Sequence, residues 1–140
     1  FFVEKRLEPM IKMAVLSSEN NKKFDKLFYK IKDIFPIEPP SLLHGDLWSG
    51  NYMISNDGKA TIFDPAVYFG HREMDIAMTR LFGGFSNEFY IGYNNEWPLS
   101  DGWEDRVDIC NLYPLLVHVN LFGNSYLAQV EYILNRFISL

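Results

Sequence analysis

The sequence predicts an α+β fold that is mostly helical, with a small β-hairpin near its middle. Apolar residues recur at helical spacing in the first and last parts of the 140-residue chain. Between them, two short β-prone runs flank Asn56-Asp57-Gly58, where glycine supplies the positive φ that a tight hairpin turn requires. A proline-rich breaker at residues 36–40 separates the first helical region from this hairpin.

Two amphipathic helices are predicted in residues 1–35. The first carries one apolar stripe, and Pro9 either kinks this helix or lies in its first turn. The second follows a polar break at residues 17–21, and its lysines lie mostly off the apolar stripe, as on a solvated face. The two stripes consist of Phe2, Val3, Leu7, Met10, Ile11 and Ala14, and of Phe24, Leu27, Phe28, Ile31, Ile34 and Phe35.

The hairpin strands are predicted at residues 52–54 and 60–63. Polar residues precede the first strand, in the segment 44–51, and follow the second, from residue 64. Because antiparallel pairing places the start of one strand beside the end of the other, we expect these segments to meet at the open end of the hairpin.

From about residue 74 the chain is predicted to be helical again. A helical pattern over residues 107–122 is expected to kink at Pro114 and to end at Gly123. A last amphipathic helix has Tyr126, Val130, Ile133, Leu134, Phe137 and Ile138 on its core side.

The composition excludes several classes of protein. With 48% hydrophobic and 22% charged residues, the chain is typical of a globular protein rather than a disordered one. A net charge of −5 argues against a nucleic-acid partner, and no apolar run approaches the length of a membrane span. The single cysteine, Cys110, excludes an internal disulfide and paired CxxC zinc motifs. It fits a reducing compartment, so we expect a cytoplasmic protein.

Asp46, Asn51 and Asp64, at the open end of the hairpin, form the candidate site. Two carboxylates and a carboxamide offer the hard oxygen ligands that Mg²⁺ prefers while it also binds water and phosphate oxygens. Asp-x-x-x-x-Asn followed by a strand-borne Asp is the spacing that kinases use. There the first Asp takes a proton from the attacking hydroxyl, and the Asn and the later Asp bind metal. The alternative for Asp46 and Asp64 is capping of turns and strand ends.

Other residues near this cluster have two interpretations. Trp48, within the loop, either stacks on a sugar face or anchors the loop on the core. His71 and Glu73 either line a sugar pocket or support the structure. His44 is expected to brace the loop by hydrogen bonds, and Asp75 to bond backbone groups of the loop.

Two longer motifs enclose these residues, HGDLWSGN at 44–51 and DPAVYFGHRE at 64–73. Shorter segments accompany them, namely FF at 1–2, RL at 6–7, DIAM at 75–78, LFGGF at 81–85 and LFG at 121–123. Together they resemble the fructosamine (ketosamine) kinase family over nearly the whole chain. His-Gly-Asp with a later Asp is shared more widely, with aminoglycoside phosphotransferases and choline kinases, whereas the two longer motifs are specific to this family.

The resemblance implies the C-terminal lobe of a protein-kinase-like fold over residues 1–140. It implies ATP-dependent phosphorylation at O3 of a ketosamine or related glycated amine, with Asp46 as catalytic base and Asn51 and Asp64 as Mg²⁺ ligands. The family's phosphate loop and strand lysine belong to an N-terminal ATP-binding lobe, and no Gly-x-Gly-x-x-Gly occurs in this sequence. We therefore expect the chain to be a fragment of a longer enzyme and to be inactive by itself.

Three alternatives remain open. The first is another small-molecule kinase, acting on an aminoglycoside or on choline, which only the substrate would separate. The second is a non-catalytic binding module that self-associates through the partly apolar surface that an N-terminal lobe would cover. The third is a metal-dependent hydrolase in which the same carboxylates activate water, and it predicts turnover without a nucleotide.

Overall fold

The computed structural model describes residues 1–138, which form two compact units. The terminal unit comprises residues 1–36 together with the described residues from 111 onward, and the central unit comprises residues 37–110. The predicted class is confirmed, since most of the described backbone is helical and its strands are only three residues long. In the described chain, no helix combines the length and the apolar character needed to cross a bilayer.

Over residues 1–138, the chain passes from a helical region through four short strands into a second helical region. Short 3-10 turns at Ser49–Asn51 and Asn124–Tyr126 precede the second strand and the last helix. In chain order, the elements are a π-helical segment at Phe2–Leu7, then α1 (Glu8–Ala14), α2 (Ser18–Ile31), β1 (Ser41–Leu43), β2 (Tyr52–Ile54), β3 (Ala60–Ile62), β4 (Tyr68–Gly70), α3 (Glu73–Leu81), α4 (Asn87–Glu96), α5 (Trp103–Phe122) and α6 (Leu127–Ile138).

The first two predicted helices are present, with changed ends. Pro9 lies in the first turn of α1, directly after the π-helical segment, which is the second of the two alternatives given for this proline. Helix α2 ends at Ile31, and the N–H of Ile34 bonds back to the carbonyl of Ile31 in a tight turn ahead of Pro36. Ile34 and Phe35 therefore lie beyond the helix on whose stripe they were predicted.

Helices α2 and α6 pack against each other in the terminal unit. Asn20 Nδ2 donates a hydrogen bond to Glu131 Oε1 between them (2.8 Å). Helix α5 runs through Pro114 to Phe122, and Gly123 follows with a φ of 79°, which confirms the predicted stop. The buried core of this unit includes Leu7, Phe24, Leu27, Leu112, Leu115, Leu116, Val130, Ile133 and Leu134.

The predicted hairpin is confirmed in the central unit. Strands β2 and β3 pair antiparallel with Tyr52 opposite Ile62, and Gly58 takes a φ of 79° in the turn. Beyond the last strand pair, the N–H of Phe63 donates to the carbonyl of Asn51 (3.0 Å). This bond holds the open end of the hairpin together, as antiparallel pairing requires.

A second antiparallel pair, β1 with β4, was not predicted. It sets Leu43 opposite Tyr68. Three residues per strand are too few for an alternating pattern to be recognised. Residue 44 comes directly after Leu43, and residue 67 comes directly before its partner Tyr68. The pair therefore holds the segment that begins at residue 44 beside the segment that ends at residue 67.

Candidate functional site

The candidate site is built on the 44–51 loop, which leaves β1 and enters β2 through a 3-10 turn. Both carboxylate oxygens of Asp75, in the first turn of α3, accept hydrogen bonds from this loop: Oδ2 from the N–H of His44 (2.7 Å) and Oδ1 from that of Gly45 (2.9 Å). Gly45 has a φ of 81°, and a Cβ on it would lie 2.1 Å from the carbonyl oxygen of Ala66. The start of the loop is thus fixed between α3 and the segment that follows β3.

Burial raises the pKa of the Asp75 carboxyl above its ordinary value. The hydrogen bonds from Gly45 and His44 act in the opposite direction, and the nearby charge of Asp46 adds to the rise. The Asp75 carboxylate is therefore largely removed from water, and it accepts hydrogen bonds from two backbone N–H groups instead. Such bonds orient the loop and carry no chemistry of their own.

The His44 ring connects the loop to the residue before Asp64. Its Nε2 lies 3.0 Å from the carbonyl oxygen of Phe63, and its Nδ1 lies 3.3 Å from the backbone nitrogen of Asp46. A carbonyl only accepts and an N–H only donates, so these contacts correspond to the neutral ring with its proton on Nε2. The ring braces the loop, and both nitrogens are engaged.

Asn51 ends the loop and holds Asp46. Its Nδ2 donates to the backbone carbonyl of Asp46 (2.9 Å) and to the carboxylate Oδ2 of the same residue (2.9 Å). These bonds use both protons of the amide nitrogen, and the carboxamide oxygen takes no part in them. The Asn51 side chain is buried, so its orientation is set by the protein.

Hydrogen bonds on both sides of Asp64 tie its neighbours to the loop. Phe63 is bonded to Asn51 and to the His44 ring, and the N–H of Ala66 donates to the carbonyl of His44 (2.8 Å). Asp64 itself is exposed and has a φ of 54°, an unusual backbone conformation for a residue other than glycine. Non-glycine residues in this region are often found at functional sites.

The chemistry of these side chains fits a magnesium–phosphate site. No group of three or more His, Cys, Asp or Glu side chains in the described residues is placed to hold a metal ion. Mg²⁺ does not require one, because it is commonly bound by one or two carboxylates together with waters and substrate phosphates. The exposed Asp64 carboxylate and the carboxamide oxygen of Asn51 are donors of this kind.

Trp48 lies in the loop, and His71 lies at the start of α3. The Trp48 side chain is 37% exposed, contacts Phe82 edge-on with ring centroids 5.9 Å apart, and covers Gly50 so closely that a Cβ there would be 2.3 Å from the indole. His71 Nε2 is 4.0 Å from Glu38 Oε2. The backbone N–H of Trp48 donates to the carbonyl of Asp46 (3.1 Å), so Trp48 is held next to Asp46. His71 instead faces Glu38, and its Nδ1 accepts a hydrogen bond from the backbone N–H of Glu73 (3.4 Å) at the start of α3.

Glu73 is buried in an ion pair. Arg106 donates from Nε to its Oε2 (2.7 Å) and from Nη2 to its Oε1 (2.6 Å). Donation to Glu73 raises the pKa of the Arg106 guanidinium. Glu73, for which a sugar pocket was one of two predicted roles, thus makes a bidentate contact inside the central unit.

Arg72 makes a similar pair that sequence reasoning did not identify fully. It donates to both oxygens of Glu38 (2.8 and 3.0 Å) and to the carbonyls of Trp97 and Pro98 (both 2.6 Å). Neither Glu38, in the proline-rich breaker, nor Arg106, in α5, has a local sequence signal that identifies it as an ion-pair partner. Such pairs join residues about thirty positions apart.

Replacing Glu73 with Gln should lower the free energy of unfolding by about 3–5 kcal/mol, because it leaves the largely buried Arg106 guanidinium without its counter-charge. Urea denaturation followed by tryptophan fluorescence measures this. Glu104→Gln is the matched control, since it breaks an exposed pair with Arg80 and should change stability little. Unchanged stability with a raised KM for a sugar substrate would instead assign Glu73 to substrate binding.

The comparisons with known proteins agree with the predicted resemblance. The sequence model of the family described as fructosamine kinase matches residues 1–140. A "Probable ketoamine kinase" of Enterococcus faecium is 44% identical over 143 residues, which cover 98% of this chain and 52% of that protein. The ketosamine-3-kinase of Mus musculus is 38% identical over 131 residues, covering 90% and 42%.

The fold of this chain is also similar to that of a solved structure. A crystal structure assigned to the fructosamine-3-kinases, from Thermobifida fusca YX-ER1, superposes with a TM-score of 0.92 at 35% identity and covers 100% of this chain and 50% of its own. The chain spans about half the length of the relatives that it matches over nearly its whole length.

Proposed function

Since the chain belongs to the fructosamine kinase family, we propose that it carries the catalytic base and the metal ligands of an ATP-dependent kinase that phosphorylates ketosamines. A ketosamine is a sugar joined to an amine, and the mouse relative is named a ketosamine-3-kinase, which suggests O3 as the acceptor. The observation that carries this proposal is the hydrogen-bonded frame through which His44 and Asn51 join Asp46 to the neighbours of Asp64.

In this proposal Asp46 accepts the proton of the attacking sugar hydroxyl. Its Oδ2 is held by Asn51 and its backbone N–H by the His44 ring, so both the side chain and the main chain have a fixed direction. A general base needs this, because proton transfer depends on a short and aligned contact with the hydroxyl. Asp75 contributes indirectly by fixing the residues that precede Asp46.

The metal would be held by the carboxamide oxygen of Asn51 and the carboxylate of Asp64. When bound, Mg²⁺ neutralises charge on the phosphate oxygens of ATP, which is the main requirement of phosphoryl transfer. Asn51 has a double function, because its amide nitrogen orients Asp46 while its oxygen remains for the metal. This sharing would keep the base and the metal at a fixed separation.

We assign Trp48 to binding of the sugar. It lies two residues after Asp46, and its partly exposed ring offers an apolar face to a sugar. His71 and Glu73 are assigned to the support of α3 instead, on the contacts described above.

The activity is tested with the full-length gene product, Mg²⁺·ATP and a glycated lysine, with phosphate transfer followed by ³¹P NMR. We expect a sugar phosphate to form from the ketosamine, and no comparable product from an aminoglycoside or choline. Preference for either of those substrates would replace the ketosamine assignment. Turnover of a substrate without any nucleotide would favour the hydrolase alternative.

A second candidate function is self-association through the central unit, with a second copy of the chain as the occupant. Several large apolar side chains around the hairpin are more than half exposed, which is typical of a surface that another chain covers. They are Leu42, Met53, Ile54, Ile62, Val67 and Phe69. We expect the gel-filtration mass of this chain to exceed 16.4 kDa and to rise with concentration. A constant mass of 16.4 kDa would contradict this.

A further inference from the structure

We propose that Gly84 is a positioning residue that sets the turn carrying Asn51. Gly84 lies between α3 and α4 with a φ of 99°. A Cβ on it would lie 2.3 Å from the Cβ of Ser49 and 2.8 Å from the Ser49 Oγ. The backbone at Gly84 thus approaches the 3-10 turn at Ser49–Asn51 more closely than any other amino acid would allow.

The same segment contacts the residues on both sides of that turn. Before the turn, the Trp48 ring meets Phe82 edge-on. After it, the Tyr52 hydroxyl donates to the carbonyl of Gly84 (3.1 Å), and the Tyr52 ring packs on Phe85 with centroids 4.8 Å apart. Residues 82–85 therefore hold the turn at its start, its first residue and its exit.

Asn51 is the residue that this contact would move. The turn is closed by a hydrogen bond from the N–H of Asn51 to the carbonyl of Trp48 (3.0 Å), so a displacement of Ser49 is transmitted through one short turn. The Asn51 carboxamide is in turn bonded to Asp46. This inference rests on the proposed function, in which Asn51 is a metal ligand and Asp46 the base.

Glycine at position 84 has two possible physical reasons, a positive φ and close contact with Ser49, and the neighbouring Gly83 allows them to be tested separately. Gly83 also has a positive φ, of 70°, but a Cβ on it would meet no atom within 4 Å. Substitution of Gly83 therefore introduces backbone strain alone. Substitution of Gly84 introduces similar strain together with a collision against Ser49.

The test compares Gly84→Ala with Gly83→Ala in the full-length gene product. We expect the Mg²⁺ concentration for half-maximal rate to rise about 10-fold or more in Gly84→Ala, the usual cost of disturbing a residue behind a metal ligand. The Kd for the Mg²⁺ complex of a non-hydrolysable ATP analogue, measured calorimetrically without turnover, should rise by a similar factor. Gly83→Ala should leave both quantities close to their wild-type values. The double variant Gly84→Ala/Ser49→Gly removes the Cβ that is struck, so it should restore the Mg²⁺ dependence.

The outcomes separate this inference from the proposed function. An active wild type in which Gly84→Ala and Gly83→Ala have the same Mg²⁺ dependence would overturn the role of Gly84 and leave the kinase proposal standing. A wild type without Mg²⁺-dependent phosphate transfer would overturn the kinase proposal first. Should Gly84→Ala fail to fold, Tyr52→Phe removes the hydroxyl bond to Gly84 without added volume. It should raise the Mg²⁺ requirement in the same direction, and an unchanged requirement would count against the inference.

Discussion

Asp46→Asn should lower kcat by about 10²–10⁴, the usual contribution of a general base, with a much smaller change in the KM for ATP. An amide at this position still accepts a hydrogen bond from Asn51, and the backbone bonds of Asp46 are unaffected. The variant therefore removes the proton acceptor while the loop keeps its supports. The rate of ketosamine phosphorylation by the full-length gene product measures the effect.

Asp57→Asn is the matched control for this change. Asp57 is exposed in the hairpin turn, close to the site in sequence, and its contacts are with Ser55 and Lys59. We expect its kcat to equal that of the wild type. Near-normal turnover of Asp46→Asn would show that Asp46 is not the base and would leave it the turn-capping role that its position also allows.

Asp64→Asn should reduce Mg²⁺-dependent phosphate transfer by at least about 10²-fold, because stabilisation of charge by the metal is worth several kcal/mol in the transition state. Asparagine is the appropriate replacement, since it tolerates the left-handed backbone conformation that Asp64 adopts (φ 54°), whereas alanine would add strain. The rate is measured across a range of Mg²⁺ concentrations.

Stability distinguishes the two roles of Asp64. If this carboxylate binds the metal, Asp64→Asn unfolds at nearly the same urea concentration as the wild type, because Asp64 is exposed. A structural Asp64 gives the opposite pattern, in which stability falls and the activity of each folded molecule is unchanged. That pattern would remove Asp64 from the site.

The hairpin and its polar open end could be predicted because their signals are local. Asn56-Asp57-Gly58 specifies a tight turn, and the pairing rule alone then brings Asn51 and Phe63 together, as observed. The three proposed site residues lie within twenty positions of one another on this unit. Local sequence signals were therefore sufficient to predict the candidate ligands.

The supports of the site lie outside that local range. Strands β1 and β4 are three residues long, and the whole hairpin lies between them in the sequence. Strands this short have no periodic pattern by which they could be predicted. The bond partners Glu73 and Arg106 are separated by 33 positions, and nothing near either residue indicates the other. Glu73 was consequently given two interpretations, and only its burial beside Arg106 favours one of them.

Gly84 shows the same limitation for a close contact. The pair Gly83-Gly84 indicates a flexible connection between two helices, and its two members are indistinguishable in the sequence. Their surroundings differ completely, since only Gly84 faces Ser49 at a distance that excludes a side chain. Which glycine matters is a property of tertiary packing.

In the proposed site, Asn51 and Asp64 hold a metal together with the phosphates of ATP. The experiment that isolates this binding is calorimetric titration of the full-length gene product with a non-hydrolysable ATP analogue, in Mg²⁺ and in EDTA, for the wild type and Asp64→Asn. We predict binding by the wild type that requires Mg²⁺ and is lost in Asp64→Asn. Equal Mg²⁺-dependent affinity in the two proteins would rule out Asp64 as a metal ligand.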